Sequence, residues 1–254
     1  MALPADVLDY ILSFLQSDTA ALKACSQSHP FLSKLAERYL YVNVAVHDGS
    51  YSAGADENGL EFHEITKLLS DNPYIANYVR NLAFCISRDL QLLRLQDLED
   101  VSSVLPMFSG LTKIALRATT AMGCSWPMLP DTFRRAFLDC IYMKEAFLER
   151  IHSLQLTHLN NCKMVTLSQL QQPLTDSNVS STARLKSLSI EDSSLFRIRC
   201  WVKILSLHSL RLSIPPDIDG LEELGIPEFL TVCPNTLSNL EFDFKNKRMS
   251  YFSS

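Results

Sequence analysis

Residues 111–116 read Leu111-Thr112-Lys113-Ile114-Ala115-Leu116: an apolar residue, two others, an apolar residue, one other, and a final apolar residue. The alternation at the end has the period of a strand with one buried face. The same pattern recurs as Val79-x-x-Leu82-x-Phe84, Ile151-x-x-Leu154-x-Leu156, Leu185-x-x-Leu188-x-Ile190, Leu207-x-x-Leu210-x-Leu212 and Leu237-x-x-Leu240-x-Phe242. Successive copies lie 22 to 40 residues apart, enough for the dozen-residue crossover that parallel strands require. Helical patterns fall between them at 90–105, 131–142 and 221–232. A strand and a helix repeated at this period predict an α/β solenoid with a parallel sheet, because each unit leaves a face unburied until the next stacks on it.

Upstream of the first copy, Val42, Val44 and Val46 alternate with polar or small residues as a further half-buried strand. Residues 47–59 hold three of the seven glycines and read as a loop. A helical pattern then runs through Phe62, Ile65, Leu68 and Leu69 until Asn72-Pro73 ends it. Residues 172–183, rich in Ser, Thr and Asn, read as a second surface loop. The last residues, Lys245 onward, look like a solvated basic end without a capping element, which leaves either an exposed edge strand or a shortened chain.

The segment before the strands has a different character. On a helix of about 3.6 residues per turn, Val7, Leu8, Tyr10, Ile11, Leu12, Phe14 and Leu15 fill an arc of roughly 200°. A surface helix needs about half of that to face one core, so the excess implies two apolar contacts, one of them outside the segment. Asp18 is placed to cap a helix over 19–28, and Pro30 to open another that buries Phe31, Leu32, Leu35, Tyr39 and Leu40. Three helices in about forty residues sit at the lower size limit for a self-sufficient core.

Leu3, Pro4, Asp6, Val7, Leu8, Ile11, Leu12 and Leu15, followed by Leu22, Ala24 and Cys25, resemble an F-box. With the strand repeats, the whole chain resembles the F-box/leucine-rich-repeat proteins, most closely the divergent fungal sets: a three-helix F-box over 1–41, then an irregular leucine-rich-repeat-like solenoid over 42–254. Where many F-boxes have Cys-Arg-x-Trp, this chain has Ser28, His29, Pro30 and Phe31. The Asn or Cys ladder of regular repeats is also missing, so uneven turns are expected. The resemblance implies a substrate-receptor subunit of an SCF-type cullin-RING ubiquitin ligase. It implies that Leu3, Pro4, Val7, Leu8, Ile11, Leu12 and Leu15 dock on a Skp-type adaptor, while the solenoid holds a protein substrate. The alternative is a scaffold or orphan repeat protein that binds partners without any ligase, its helices merely capping the solenoid.

Outward positions beside the strand leucines would line the concave side of such a solenoid, where this architecture binds its partners. Asn81, Ala83, Lys113, Ala115, Ser153, Gln155, Ser187, Ser189, Ser209, Arg211, Asn239 and Glu241 occupy them. Lys113, Ser153, Gln155, Ser187 and Arg211 are the candidate substrate contacts.

Composition narrows the remaining classes. The 254 residues are 47% hydrophobic and 20% charged, an ordinary folded balance, and a formal net charge of -5 gives no electrostatic footprint for nucleic acid. Seven scattered cysteines without a CxxC read as free thiols in a reducing compartment. No signal peptide or membrane span is expected, so the cytosol or nucleus follows. There is no GxGxxG, P-loop, GxSxG or HExxH. The six histidines show no metal-ligand spacing. No catalytic residue, cofactor or metal is expected; Trp126 and Trp201 read as packing anchors.

Overall fold

A computed structural model of the chain describes residues 3–48, 59–86, 95–119, 123–154, 156–159, 161–169, 185–191, 207–214, 236–244 and 247–250. Three helices open it: α1 (Ala5–Ser13), α2 (Thr19–Ser28) and α3 (Pro30–Leu40). Local chemistry sets two of their boundaries. The Asp18 carboxylate accepts the Ala21 N–H at 2.9 Å, satisfying one of the donors that a helix start leaves open. His29 does the same for α3, its Nδ1 accepting from the Phe31 N–H at 3.1 Å, with Pro30 in the first turn. Leu12, Leu22, Leu35 and Ala36 close a small core that is separate from the main one. The Tyr39 hydroxyl donates to the Asp9 carbonyl at 3.1 Å, pinning α3 to α1.

The body follows in the order β1 (Asn43–His47), β2 (Gly59–Glu61), α4 (Phe62–Asp71), β3 (Asn81–Ile86), α5 (Leu95–Val104) and β4 (Lys113–Ala118). It continues with β5 (Cys124–Ser125), α6 (Asp131–Cys140), β6 (Glu145–Glu149), β7 (Ile151–His152), β8 (Met164–Ser168) and β9 (Ser187–Glu191). It closes with β10 (Ser209–Ile214), β11 (Asn239–Phe244) and β12 (Lys247–Ser250). Among the described residues ten strands form one sheet, in the order β2-β1-β3-β4-β6-β8-β9-β10-β11-β12, with β5 and β7 paired separately. Nine of the ten run parallel; β12 alone is antiparallel. β2 and β3 flank β1 on opposite sides, and after β3 each main-sheet strand adds to the edge left by the one before it.

The register explains how one pattern makes this sheet. Leu82 pairs with Val44 and Ile114, and Leu116 with Phe84 and Leu148, so each unit's apolar pair lands beside the next one's. The turn entering a strand repeats too. The N–H groups of Asn81, Lys113, Glu145, Ser209 and Asn239 each donate at 3.0 Å to the carbonyl just before the neighbouring strand. The face carrying Leu82, Phe84, Ile114 and Leu116 packs on α4 to α6, with Phe84 edge-on to Phe133 at 5.4 Å and Trp126 to Phe137 at 5.9 Å. Trp126 is thus a packing anchor; Trp201 lies outside the described residues.

The expected third repeat is displaced. Ile151 and His152 form β7 in the small sheet, and Ile151 and Leu154 are buried as connecting chain between main strands. The main sheet uses β6 and β8 instead. Their units read Met143-x-x-Ala146-x-Leu148 and Cys162-x-x-Val165-x-Leu167, the same template with Met, Ala and Cys where Leu or Ile was sought. Residues 247–250 of the basic end pair antiparallel to β11, so the end is not simply solvated. The expected loop at 172–183, the helix at 221–232 and most of the loop at 47–59 lie outside the described residues.

Candidate functional site

The arc on α1 resolves into two stripes. Leu12 is 3% exposed and forms the small core; Leu8 and Leu15 pack partly against it. The other stripe faces away: Leu3 is 57% exposed, Val7 38%, Tyr10 66%, Ile11 46% and Phe14 66%. At about 100° per residue Val7, Tyr10, Ile11 and Phe14 fall within roughly 100° of one another, and the inward three within roughly 60° on the adjoining side, while Leu3 precedes the helix start. Tyr10 and Phe14 meet edge to face at 4.8 Å, so their rings form one continuous outer surface. Of the sequence candidates, Leu3, Pro4, Val7 and Ile11 are exposed, whereas Leu12 is interior to the bundle and unavailable to a partner. Tyr10 and Phe14, outside the candidate set, are the most exposed apolar side chains of the stripe; their signal lay in the width of the arc.

The second surface is the face of the sheet turned away from α4 to α6. Strand register arranges it in rows. One row reads Asn43, Asn81, Lys113, Glu145, Met164; the next Ala45, Ala83, Ala115, Phe147, Thr166; the third His47, Cys85, Arg117, Glu149, Ser168. Farther along, Ser187, Ser209 and Asn239 align, as do Ser189, Arg211 and Glu241. Lys113, Ser187 and Arg211 therefore share this face. Ser153 does not, because its unit was misplaced by the displaced repeat; it follows β7 with φ 58°. Gln155 lies outside the described residues. Phe147, Glu149, Thr166 and Arg117 take the places sequence reasoning missed.

Charges on this face are largely paired across strands. Arg211 hydrogen-bonds Asp243 and lies 3.8 Å from Glu241, and the Asp243 carboxylate beside it holds its guanidinium above the usual arginine range. Arg117 lies 3.8 Å from Glu149 and 5.3 Å from the Phe147 ring centroid, within cation–π range. Its Nε–H is buried without a hydrogen-bond partner. Between this region and the α1–α2 turn opens a cleft of about 690 Å³, lined by Gln16, Asn43, Asn81, Lys113, Arg117 and Phe147 among others.

The buried thiols stay protonated: burial pushes Cys124 up to about 11 and Cys162 up to about 12, the reverse of what an activated nucleophile needs. Among the described residues no cluster of His, Cys, Asp and Glu could hold a metal ion, and no helix is long and apolar enough to cross a membrane. What these features define is a class: a parallel-sheet α/β protein carrying a three-helix unit with its own core and an exposed apolar stripe. Comparison with protein-family models, with curated proteins and with solved structures finds no match.

Proposed function

We propose that the chain is a non-catalytic substrate-receptor subunit of an SCF-type cullin-RING ubiquitin ligase, working in the cytosol or nucleus. In this reading α1 to α3 are an F-box that grips a Skp-type adaptor, and the stacked strands are a leucine-rich-repeat-like solenoid that holds a protein substrate on its open face. Catalysis then means proximity, since holding an acceptor lysine beside a charged conjugating enzyme makes a bimolecular step effectively unimolecular. One observation carries the reading: the outward stripe from Leu3 to Phe14 belongs to neither core. Val7, Tyr10, Ile11 and Phe14 on about two turns, with Leu3 just before the helix, form a contiguous exposed apolar patch, a feature that marks an interaction site. The strand order and the repeated turn bond also support stacked units.

The test is capture of a purified Skp-type adaptor by the full chain. The wild type retains the adaptor, and Val7→Asp with Ile11→Asp abolishes retention, because an unpaired carboxylate buried at an interface costs several kcal/mol. Retention unchanged in that double variant refutes the interface. Failure of the wild type to retain any adaptor leaves the scaffold reading.

A further inference from the structure

The cleft between the α1–α2 turn and the open face has an uneven electrostatic lining. The Lys113 ammonium forms no ion pair or hydrogen bond with any described residue; Glu145, opposite it in register, is engaged instead by Lys163 at 3.4 Å. Arg117, four residues along the same strand, keeps an Nε–H buried without an acceptor, although Glu149 lies 3.8 Å away. Between the two cations sits Ala115, 6% exposed, flanked in register by Ala83 and the Phe147 ring.

Lys113, Ala115 and Arg117 thus present cation, apolar floor and cation at alternate positions of one strand. An extended peptide has the same two-residue period, about 6.6 Å between side chains on one face. We propose that this cleft binds an extended segment of a partner protein carrying an acidic, an apolar and a second acidic residue at alternate positions. The apolar side chain rests on Ala115 against Phe147; the carboxylates meet the Lys113 ammonium and the outer edge of the Arg117 guanidinium, whose side chain is 42% exposed. The two cations stand roughly 13 Å apart along the strand, too far for one carboxylate to bridge. Glu145 and Glu149, each beside one of the cations on the neighbouring strand, disfavour a polyanion such as nucleic acid, whose closely spaced charges would meet them. The proposal deepens the reading of the open face as the substrate surface and rests on it.

The test is fluorescence anisotropy of the full chain with two labelled peptides, Ser-Glu-Ser-Leu-Ser-Glu-Ser and its Lys-for-Glu counterpart. The wild type prefers the acidic peptide by at least about tenfold, the size expected for charge-assisted hydrogen bonds. Lys113→Glu, at an exposed position, removes the preference, and Ala115→Trp, which fills the floor, weakens the acidic peptide by a similar factor. Far-ultraviolet circular dichroism and the melting midpoint confirm that each variant folds. Val7→Asp with Ile11→Asp leaves peptide binding unchanged, so failure of adaptor docking and failure of the cleft are told apart. Equal binding of the two peptides, no binding of the acidic one, or a preference surviving Lys113→Glu overturns the assignment.

Discussion

The helical unit and the sheet body solve the same problem at different scales. The body stacks strand on strand, so each unit's apolar pair is covered by its neighbours and the core reaches from Val44 to Phe242. The helical unit has four fully buried residues and must leave much of α1 outside them. Repetition supplies coverage from within; a three-helix unit has no next repeat to supply it. The contact between the two regions is correspondingly specific rather than broad. The Tyr74 hydroxyl donates to the Glu37 carboxylate at 3.1 Å, and Tyr41 packs on the larger core.

This comparison predicts different consequences for the same kind of damage. Phe84 touches Phe62, Phe133 and Phe137 with ring centroids 5.4 to 6.4 Å away, so Phe84→Ala should lower the stability of the body by about 3–5 kcal/mol. Leu22→Ala removes one of only four fully buried side chains in the helical unit, at about 2–5 kcal/mol. That loss should exceed what so small a core can spare. Hydrogen exchange is the measurement: Phe84→Ala speeds amides throughout β1 to β8, whereas Leu22→Ala opens α1 to α3 and leaves those strands protected. If Leu22→Ala exposes both regions together, they are one cooperative unit and the contrast fails.

The thiols separate the regions in a second way. Among the described residues Cys85, Cys124, Cys140 and Cys162 are buried in the body, while Cys25 is half-buried beside the helical core. Burial raises Cys124, Cys140 and Cys162 above the usual value of 9.0, with Cys124 at about 11 and Cys162 at about 12. The folded body therefore holds protons that the unfolded chain releases. The stability they contribute is intact below about pH 9 and is lost as pH rises through about 11 to 12. For Cys124 the limit is about 3 kcal/mol. Denaturant unfolding across this range should show the fall, and Cys124→Ala with Cys162→Ala should flatten it. Peptide mapping after brief alkylation at neutral pH should find Cys25 modified before Cys124, Cys140 and Cys162; early modification of Cys162 would contradict the burial.

How far the sequence disclosed this follows from which residues carry the information. The helix boundaries at Thr19 and Pro30 were legible because Asp18 and Pro30 act locally, through bonds within three residues. Five strand units were legible because Leu, Ile, Val and Phe fill their buried positions. The units at β6 and β8 were hidden because Ala146 and Cys162 fill interior places without announcing it, Met143 at the head of the β6 unit is 63% exposed, and Ile151 offered a nearby false match. That one displacement put Ser153 on the wrong surface and concealed Phe147 and Glu149. The antiparallel pairing of residues 247–250 had no periodic signal at all, since an edge strand needs only backbone groups on its partner. On α1 the width of the apolar arc was plain in the sequence. Which half turned inward was not, because that depends on where α3 lies.

The division of α1 gives the finest test, because it predicts almost nothing where sequence alone suggests a large effect. Val7 and Ile11 are as apolar as Leu8 and Leu12 and alternate with them along the same helix. In the isolated chain, however, they contact water. Val7→Asp with Ile11→Asp should therefore shift stability by no more than about 0.5 kcal/mol per site, the ordinary range for surface positions. Val and Asp also have similar helix propensities, and an acid near the helix start is favoured by its dipole. Leu12→Asp, one residue further on, buries a carboxylate in the small core and should melt the unit. A thermal scan of the full chain reads both. Should the Val7 and Ile11 pair destabilise by more than about 2 kcal/mol, the outer stripe is covered by the chain itself. The apolar excess of α1 would then be structural, and no partner would be needed to explain it.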